Sequence, residues 1–346
     1  EDVDPWTSVT LANSIDLNGN AGKLTSLETF NELLIAFQEK SISQILFNER
    51  VQIPTSDGTP IEISNNYKVE GVRKIQDSVG CNNKFKITKS PYGIYFIDDN
   101  NKAIYLFDGK LKDLSNTLGL KSWVNDYGIC DTNNKLTYKE AIGVRLSYDP
   151  INKDVYFSPM NDINNYNTLC YSEQLGTFTS FMSYSNSILL PFEKSFWTIK
   201  SEGGSTQLYE NFKGDYNNFY GDIIYPEFTY ISNDNPTYSK IFDTIEYRAD
   251  IYDANNTLLN NESFNIIRAT NEYQDSGVKE FSQNRRVIND ISLRKKFRVW
   301  RGQIPREGRA RIQNPWTSIS LGFTNKEGRD SNFKLVFHDI STKYTI

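Results

Sequence analysis

Residues 93–109, reading G-I-Y-F-I-D-D-N-N-K-A-I-Y-L-F-D-G, constrain the fold of this chain more than any other stretch. Residues 94–97 and 103–107 are short β-branched and aromatic runs, a composition suited to a pleated surface. Between them lies Asp98-Asp99-Asn100-Asn101-Lys102. Asp and Asn side chains hydrogen-bond their own backbone and tolerate left-handed geometry. Two strands joined by a five-residue polar loop predict a hairpin. Both strands are apolar on both faces, so the hairpin must be covered above and below. It reads as an inner strand pair of a larger β assembly.

Similar pairs recur along the chain. Residues 33–37 and 42–47 flank Gln38-Glu39-Lys40-Ser41; a helix over 27–38 is the rival reading, because Leu27, Phe30, Leu34 and Phe37 also fit helical spacing. Residues 69–75 fit a short helix or a strand, and 118–124 a short helix with its apolar side inward. Further strand pairs are predicted at 141–148 with 154–157, 168–172 with 177–184, and 195–200 with 206–210. Tyr105, Tyr156 and Tyr209 hold similar places in three of the pairs, spaced by 51 and 53 residues. Antiparallel units of that size in series predict a β-propeller. About four blades fit between residues 20 and 220, the low end for a closed ring. Part of the ring is therefore expected upstream of Glu1 or elsewhere. From Tyr225 the pattern changes: residues 239–252 form one long alternating run, with Ile241, Asp243, Ile245, Tyr247, Ala249 and Ile251 on one side. Shorter runs follow at sandwich-like intervals. The expectation is an all-β chain, with a partial β-propeller over 1–225 and an antiparallel β-sandwich assembly domain over 226–346.

Composition narrows the chemistry. With 346 residues the chain exceeds a single small core. No run approaches the ~18 apolar residues of a transmembrane helix. The sequence opens Glu1-Asp2-Val3 without methionine, which leads us to expect a cleaved precursor. Cys81, Cys130 and Cys170 lie too far apart for a metal site and are odd in number, so they read as buried apolar residues. The single histidine, His338, sits in an alternating run that fits a strand and leaves no His-based metal set. Asp98, Asp99, Asp108 and Asp149 fall in turns, where Asp serves the backbone, and no catalytic carboxylate pair stands out. No catalytic, cofactor-binding or metal-binding residue is assigned.

The strongest charge feature is 285–311. Arg285, Arg286, Arg294, Lys295, Lys296, Arg298, Arg301, Arg306, Arg309 and Arg311 face only Asp290 and Glu307, a net of +8 in a chain of −5. The remainder therefore carries −13. One reading is a surface that meets nucleic-acid backbone or an acidic partner. The other is a set of strands whose arginines pair with acidic neighbours in the same or an adjacent subunit. Arg298, Trp300, Arg301 and Pro305 look embedded in structure, which favours the second.

Three segments carry a resemblance: S-P-Y-G-I-Y-F-I-D (90–98) with I-Y-L-F-D-G (104–109), T-L-C-Y-S-E-Q-L-G-T-F-T-S-F (168–181), and K-F-R-V-W-R-G-Q-I-P-R…R-I-Q-N-P-W-T (296–317). They resemble the muzzle proteins of crAss-like bacteriophages, most closely in the last segment. The resemblance implies a non-enzymatic structural virion protein at the distal end of a short tail. It further implies a six-fold ring (a muzzle or nozzle) around the DNA exit channel, gating or guiding the ejection of DNA and cargo. The implied partners are further copies of the chain, an upstream fragment of the same precursor, other tail or portal-ring proteins, and passing phage DNA. The alternative from another class is a glycan-binding or capsule-degrading phage propeller.

Overall fold

A computed structural model describes residues 14–47, 50–54, 60–64, 69–127, 143–159, 168–182, 188–192, 194–202, 205–282, 291–323 and 331–346. The fold is all-β, apart, among the described residues, from two short helices and single 3-10 turns. Two compact units divide the chain, Glu1–Phe212 and Lys213–Ile346.

The first unit contains four successive antiparallel sheets. The first is built from β1 (Leu24–Phe30), β2 (Leu33–Gln38), β3 (Ser41–Phe47) and β6 (Val69–Asp77), with the hairpin of β4 (Arg50–Pro54) and β5 (Pro60–Ser64) inserted between the last two. The second is a meander of β7 (Ile87–Lys89), β8 (Ile94–Asp98), β9 (Ala103–Phe107) and β10 (Leu111–Asp113). Helices α1 (Leu114–Thr117) and α2 (Lys121–Tyr127) follow. The third sheet comprises β11 (Val144–Asp149), β12 (Asp154–Pro159), β13 (Thr168–Ser172) and β14 (Thr177–Met182). The fourth comprises β15 (Ile188–Phe192), β16 (Ser195–Glu202) and β17 (Ser205–Glu210).

The expected central hairpin is β8–β9, with Ile94 opposite Phe107 and Asp98 opposite Ala103. Pairing of Asp98 shortens the loop to Asp99–Lys102, and Lys102 takes the left-handed conformation at φ 51°. Buried Asp98 accepts hydrogen bonds from the amides of Asn100 and Asn101 (2.8 and 3.2 Å) and from the Gly80 amide (3.1 Å). Asp149 does the same at the next such turn, accepting from the Ile151 amide at 2.8 Å. These carboxylates are turn chemistry, as the sequence suggests. Gly93 is required by close approach: a Cβ there would lie 2.7 Å from the Phe107 carbonyl oxygen.

Alternation along β8 and β12 explains the stacking. Ile94 and Phe96 pack with Ile35, Phe37 and Phe107 against the first sheet. Tyr95 and Ile97 point the other way and join Leu146, Val155, Phe157 and Tyr171 of the third. Tyr156 and Cys170, on the far face of the third sheet, meet Leu189 and Phe196 of the fourth. The second and third sheets are thus buried between their sequence neighbours, and the first and fourth are each buried on one, at roughly 1.5–3 kcal/mol per large apolar side chain. Residues 27–38 form a hairpin and not the rival helix, because Asn31 and Glu32 turn the chain at φ 47° and 64°. Residues 69–75 are strand, and Trp123 and Val124 of α2 supply its buried side. Cys81 and Cys170 are buried, and desolvation pushes both thiols up to about 12; Cys130 lies outside the described residues.

The second unit begins with a short pair, β18 (Asn218–Phe219) and β19 (Asp222–Ile223). One antiparallel run holds β20 (Phe228–Ser232), β27 (Thr317–Gly322), β22 (Ile266–Thr270) and β23 (Lys279–Ser282). Another holds β24 (Ile291–Lys296), β25 (Val299–Gln303), β21 (Lys240–Tyr252), β26 (Gln313–Asn314) and β28 (Lys334–Thr345). A two-residue parallel contact, Phe281 and Ser282 of β23 with Ile291 and Ser292 of β24, joins them, and the sheet curls around one core. Its outer strands meet through side chains: the Phe228 and Phe337 rings stand 4.6 Å apart, and the Ser232 and Thr342 hydroxyls are hydrogen-bonded. β21 departs from strict alternation. A register shift between Phe242 and Thr244 puts Phe242, then Ile245, Tyr247, Ala249 and Ile251, into the core. Ile241 and Asp243 therefore leave the face that simple alternation assigned to them, because one extra residue moves side chains to the opposite face.

Candidate subunit interface

The bulged register of β21 decides what the basic stretch can do. It turns Asp243 outward to join Glu246, and its second register shift, between Arg248 and Ala249, lies beside Asp250. β25 runs antiparallel beside it, with Arg301 opposite Glu246. Arg301 reaches Glu246 at 2.6 Å, and Lys343 of β28 reaches the same carboxylate at 2.6 Å from the other side. Arg311 pairs with Asp243 at 2.8 Å. Arg298 meets Asp250 at 2.5 Å, and His338 Nε2 lies 2.9 Å from the same oxygen. Lys343 hydrogen bonding is the largest influence on Glu246 and holds its carboxyl below the usual range. Burial works against charge at Asp250, but hydrogen bonds from His338 and Arg298 outweigh it and lower its carboxyl too.

Three of the ten basic residues therefore have carboxylate partners within their own unit. The arginine ends are exposed, so each pair contributes only about 0–1 kcal/mol. Their effect is mainly to neutralise the acidic line on β21. Lys295 is held otherwise, donating to the Asn260 carbonyl at 2.7 Å with its ammonium 5.0 Å from the Trp300 ring centre. Arg294 is exposed opposite Arg301, a like-charge neighbour that Glu246 offsets. Arg306 and Arg309 are exposed on the turn around Glu307, and among the described residues no carboxylate lies within ion-pair distance of either. Arg285 and Arg286 lie outside the described residues.

The structure thus spreads the charge run over two settings: cations neutralised by the acids of β21, Arg298 among them, and an exposed rim of Lys296, Arg306 and Arg309. Composition alone missed the acids that meet the arginines. Their signal was in the sequence, as Asp243, Glu246 and Asp250 punctuate the long run of β21. Two buried lysines were also missed. Lys86 meets Asp99, and Lys240 donates to the Asp234 carbonyl beneath the Tyr344 ring. Among the described residues, no three His, Cys, Asp or Glu side chains gather as a metal site would require.

Comparison with known proteins completes the picture. Residues 1–202 match the profile of the crassvirus muzzle protein, and residues 214–307 match that of the crassvirus muzzle protein C-terminal domain. The muzzle protein of Bacteroides phage crAss001 is 39% identical over 348 residues, covering 99% of this chain. The chain spans about a quarter of that relative, 24% of its length.

Proposed function

The chain belongs to the crassvirus muzzle protein family, and on that premise we propose that it is a structural component of the virion tail, at the distal end. Several copies, six in the simplest form, surround the channel through which DNA and cargo leave, and they guide that passage. The observation that carries this reading is similarity over almost the whole chain to a protein named for the muzzle.

The fold supports it. The four stacked sheets are propeller-like, each meandering and each buried on its neighbours. The stack also has exposed apolar residues at both ends: Leu24, Leu27 and Phe47 on the first sheet, Phe192 and Leu208 on the fourth. Such ends suit further blades supplied by another part of the precursor. Residues 226–346 then act as the assembly domain, and 1–225 as the wall of the ring. The basic rim meets the acidic remainder of an adjacent copy, since a closed ring joins two different faces of identical subunits.

Purified tails test this. A tryptic map should contain this chain together with upstream peptides in equal amount, and imaging should place it at the tail tip. Its absence from tails, or a chain that stays monomeric with its upstream partner present, would sink the proposal.

A further inference from the structure

We propose that the tip of the β24–β25 hairpin, Phe297 between Lys296 and Arg298, is the knob by which one copy of the chain grips the next; this rests on the ring reading above. Phe297 is 88% exposed, the most exposed large apolar side chain among the described residues. Lys296 pairs with Val299, so the turn has two residues, and both Phe297 (φ 50°) and Arg298 (φ 65°) are left-handed. That two-residue geometry matches hairpin twist but favours Asn-Gly, and a bulky residue with positive φ is a strained outlier. The β1–β2 hairpin makes a turn of the same length with Asn31 in first place. Folding alone therefore gives no reason for an aromatic at 297.

The strained tip is braced. Arg298 is tied to Asp250, which also takes a hydrogen bond from His338, and the Lys296 ammonium sits 5.4 Å from the centre of the Phe297 ring. A preorganised aromatic next to an arginine is what interface centres select. Backbone strain that local packing does not explain is concentrated at such contact sites. Charge points to the occupant. With its three internal pairs set aside, the stretch that contains the tip still carries +5 against −10 for the rest of the chain, so a second copy offers the complementary charge. Single-stranded nucleic acid is the weaker fit, because it is gripped by successive aromatic platforms and the tip presents one ring.

The whole chain, its Phe297→Asn variant and its Phe297→Tyr variant would be compared by sedimentation velocity over a concentration series, and by thermal melting at a concentration where all three are monomeric, since association itself raises Tm. Asparagine accepts the left-handed conformation, so Phe297→Asn should melt about 2–5 °C higher while its self-association weakens at least tenfold. Phe297→Tyr should associate like the parent. An asparagine variant that associates as the parent does, or that melts lower, overturns the proposal while leaving the ring reading intact. So does a tip whose loss weakens binding of labelled single-stranded DNA and leaves self-association unchanged. A parent chain that is monomeric at every concentration and absent from purified tails removes the ring reading itself.

Discussion

The two units treat their carboxylates in opposite ways. In the first, Asp99, Asp149, Asp154 and Glu173 are all pushed up, with desolvation the largest cause in each. In the second, Glu246, Asp250, Asp275 and Asp339 are all lowered by hydrogen bonds from cations, Asp275 to about 2 beside Arg268. The exposed Asp108–Lys112 pair is an exception inside the first unit and follows the second unit's rule. Stacked sheets bury their turn ends, so turn carboxylates lose water. The curled sheet sets arginines and lysines against its carboxylates, and hydrogen bonds from these cations lower them, even at buried Asp250. Sheet packing, rather than composition, sets the sign of the shift.

Removing a buried cation should break that contrast most severely. Lys86→Met leaves the Asp99 carboxylate buried without its ion-pair partner. Denaturant unfolding of the first unit should show a loss of about 3–5 kcal/mol. The outward-facing equivalent, Arg301→Ala, should cost at most about 1 kcal/mol, since its pair is exposed.

Acidity provides the next test. A carboxylate whose folded pKa is raised contributes stability that is complete below the unfolded value of about 4 and is lost as pH rises through the folded value. Lowered carboxylates contribute stability above about 4, and it is lost as pH falls through their folded values. Acidification from pH 7 to 4 should therefore strengthen hydrogen-exchange protection in β8, β12 and β13. Further acidification should open β21 and β28 first. The opposite order would refute the contrast.

A smaller effect isolates one residue. Glu173 accepts hydrogen bonds from Ser90 and from Tyr95, the latter at 3.0 Å, so it ties the third sheet to the second. Glu173→Gln removes a desolvated charge while retaining a carbonyl acceptor. Melting at pH 7 should be unchanged or slightly higher, and part of the decline in stability with rising pH should vanish. A lower melting point at pH 7 would show that the charge itself secures the sheet contact. The least effect is expected from salt: 1 M sodium chloride screens exposed pairs, so the second unit should lose a few tenths of a kcal/mol and the buried Lys86–Asp99 pair should change less.

Much of this was legible in the chain because the strands are short and their turns are chemically explicit. The run 93–109 announces a doubly covered hairpin, and Asp98 and Asp149 announce their turns. The register of β21 was not legible. A bulge costs one residue and leaves no compositional mark, yet it exchanges Ile241 for Phe242 in the core. The bulge accounts for Asp243 and Arg311 alone; the pairing of Arg298 and Arg301 was hidden because it depends on β25 lying beside β21, which no local pattern announces. Charge counted along the sequence saw ten cations; pairing across strands joined three of them to carboxylates.

The serial packing of the first unit makes it a lattice in one dimension. In such an arrangement cohesion passes only between nearest neighbours, and opening starts where the last interface is thinnest. Among the described residues, the third and fourth sheets share four buried apolar side chains, Tyr156, Cys170, Leu189 and Phe196. The interface between the second and third sheets gathers Trp123, Val124 and a dozen others. A load on this unit would peel it from the fourth sheet inward, and the 93–109 hairpin, two interfaces away, would be among the last parts to yield.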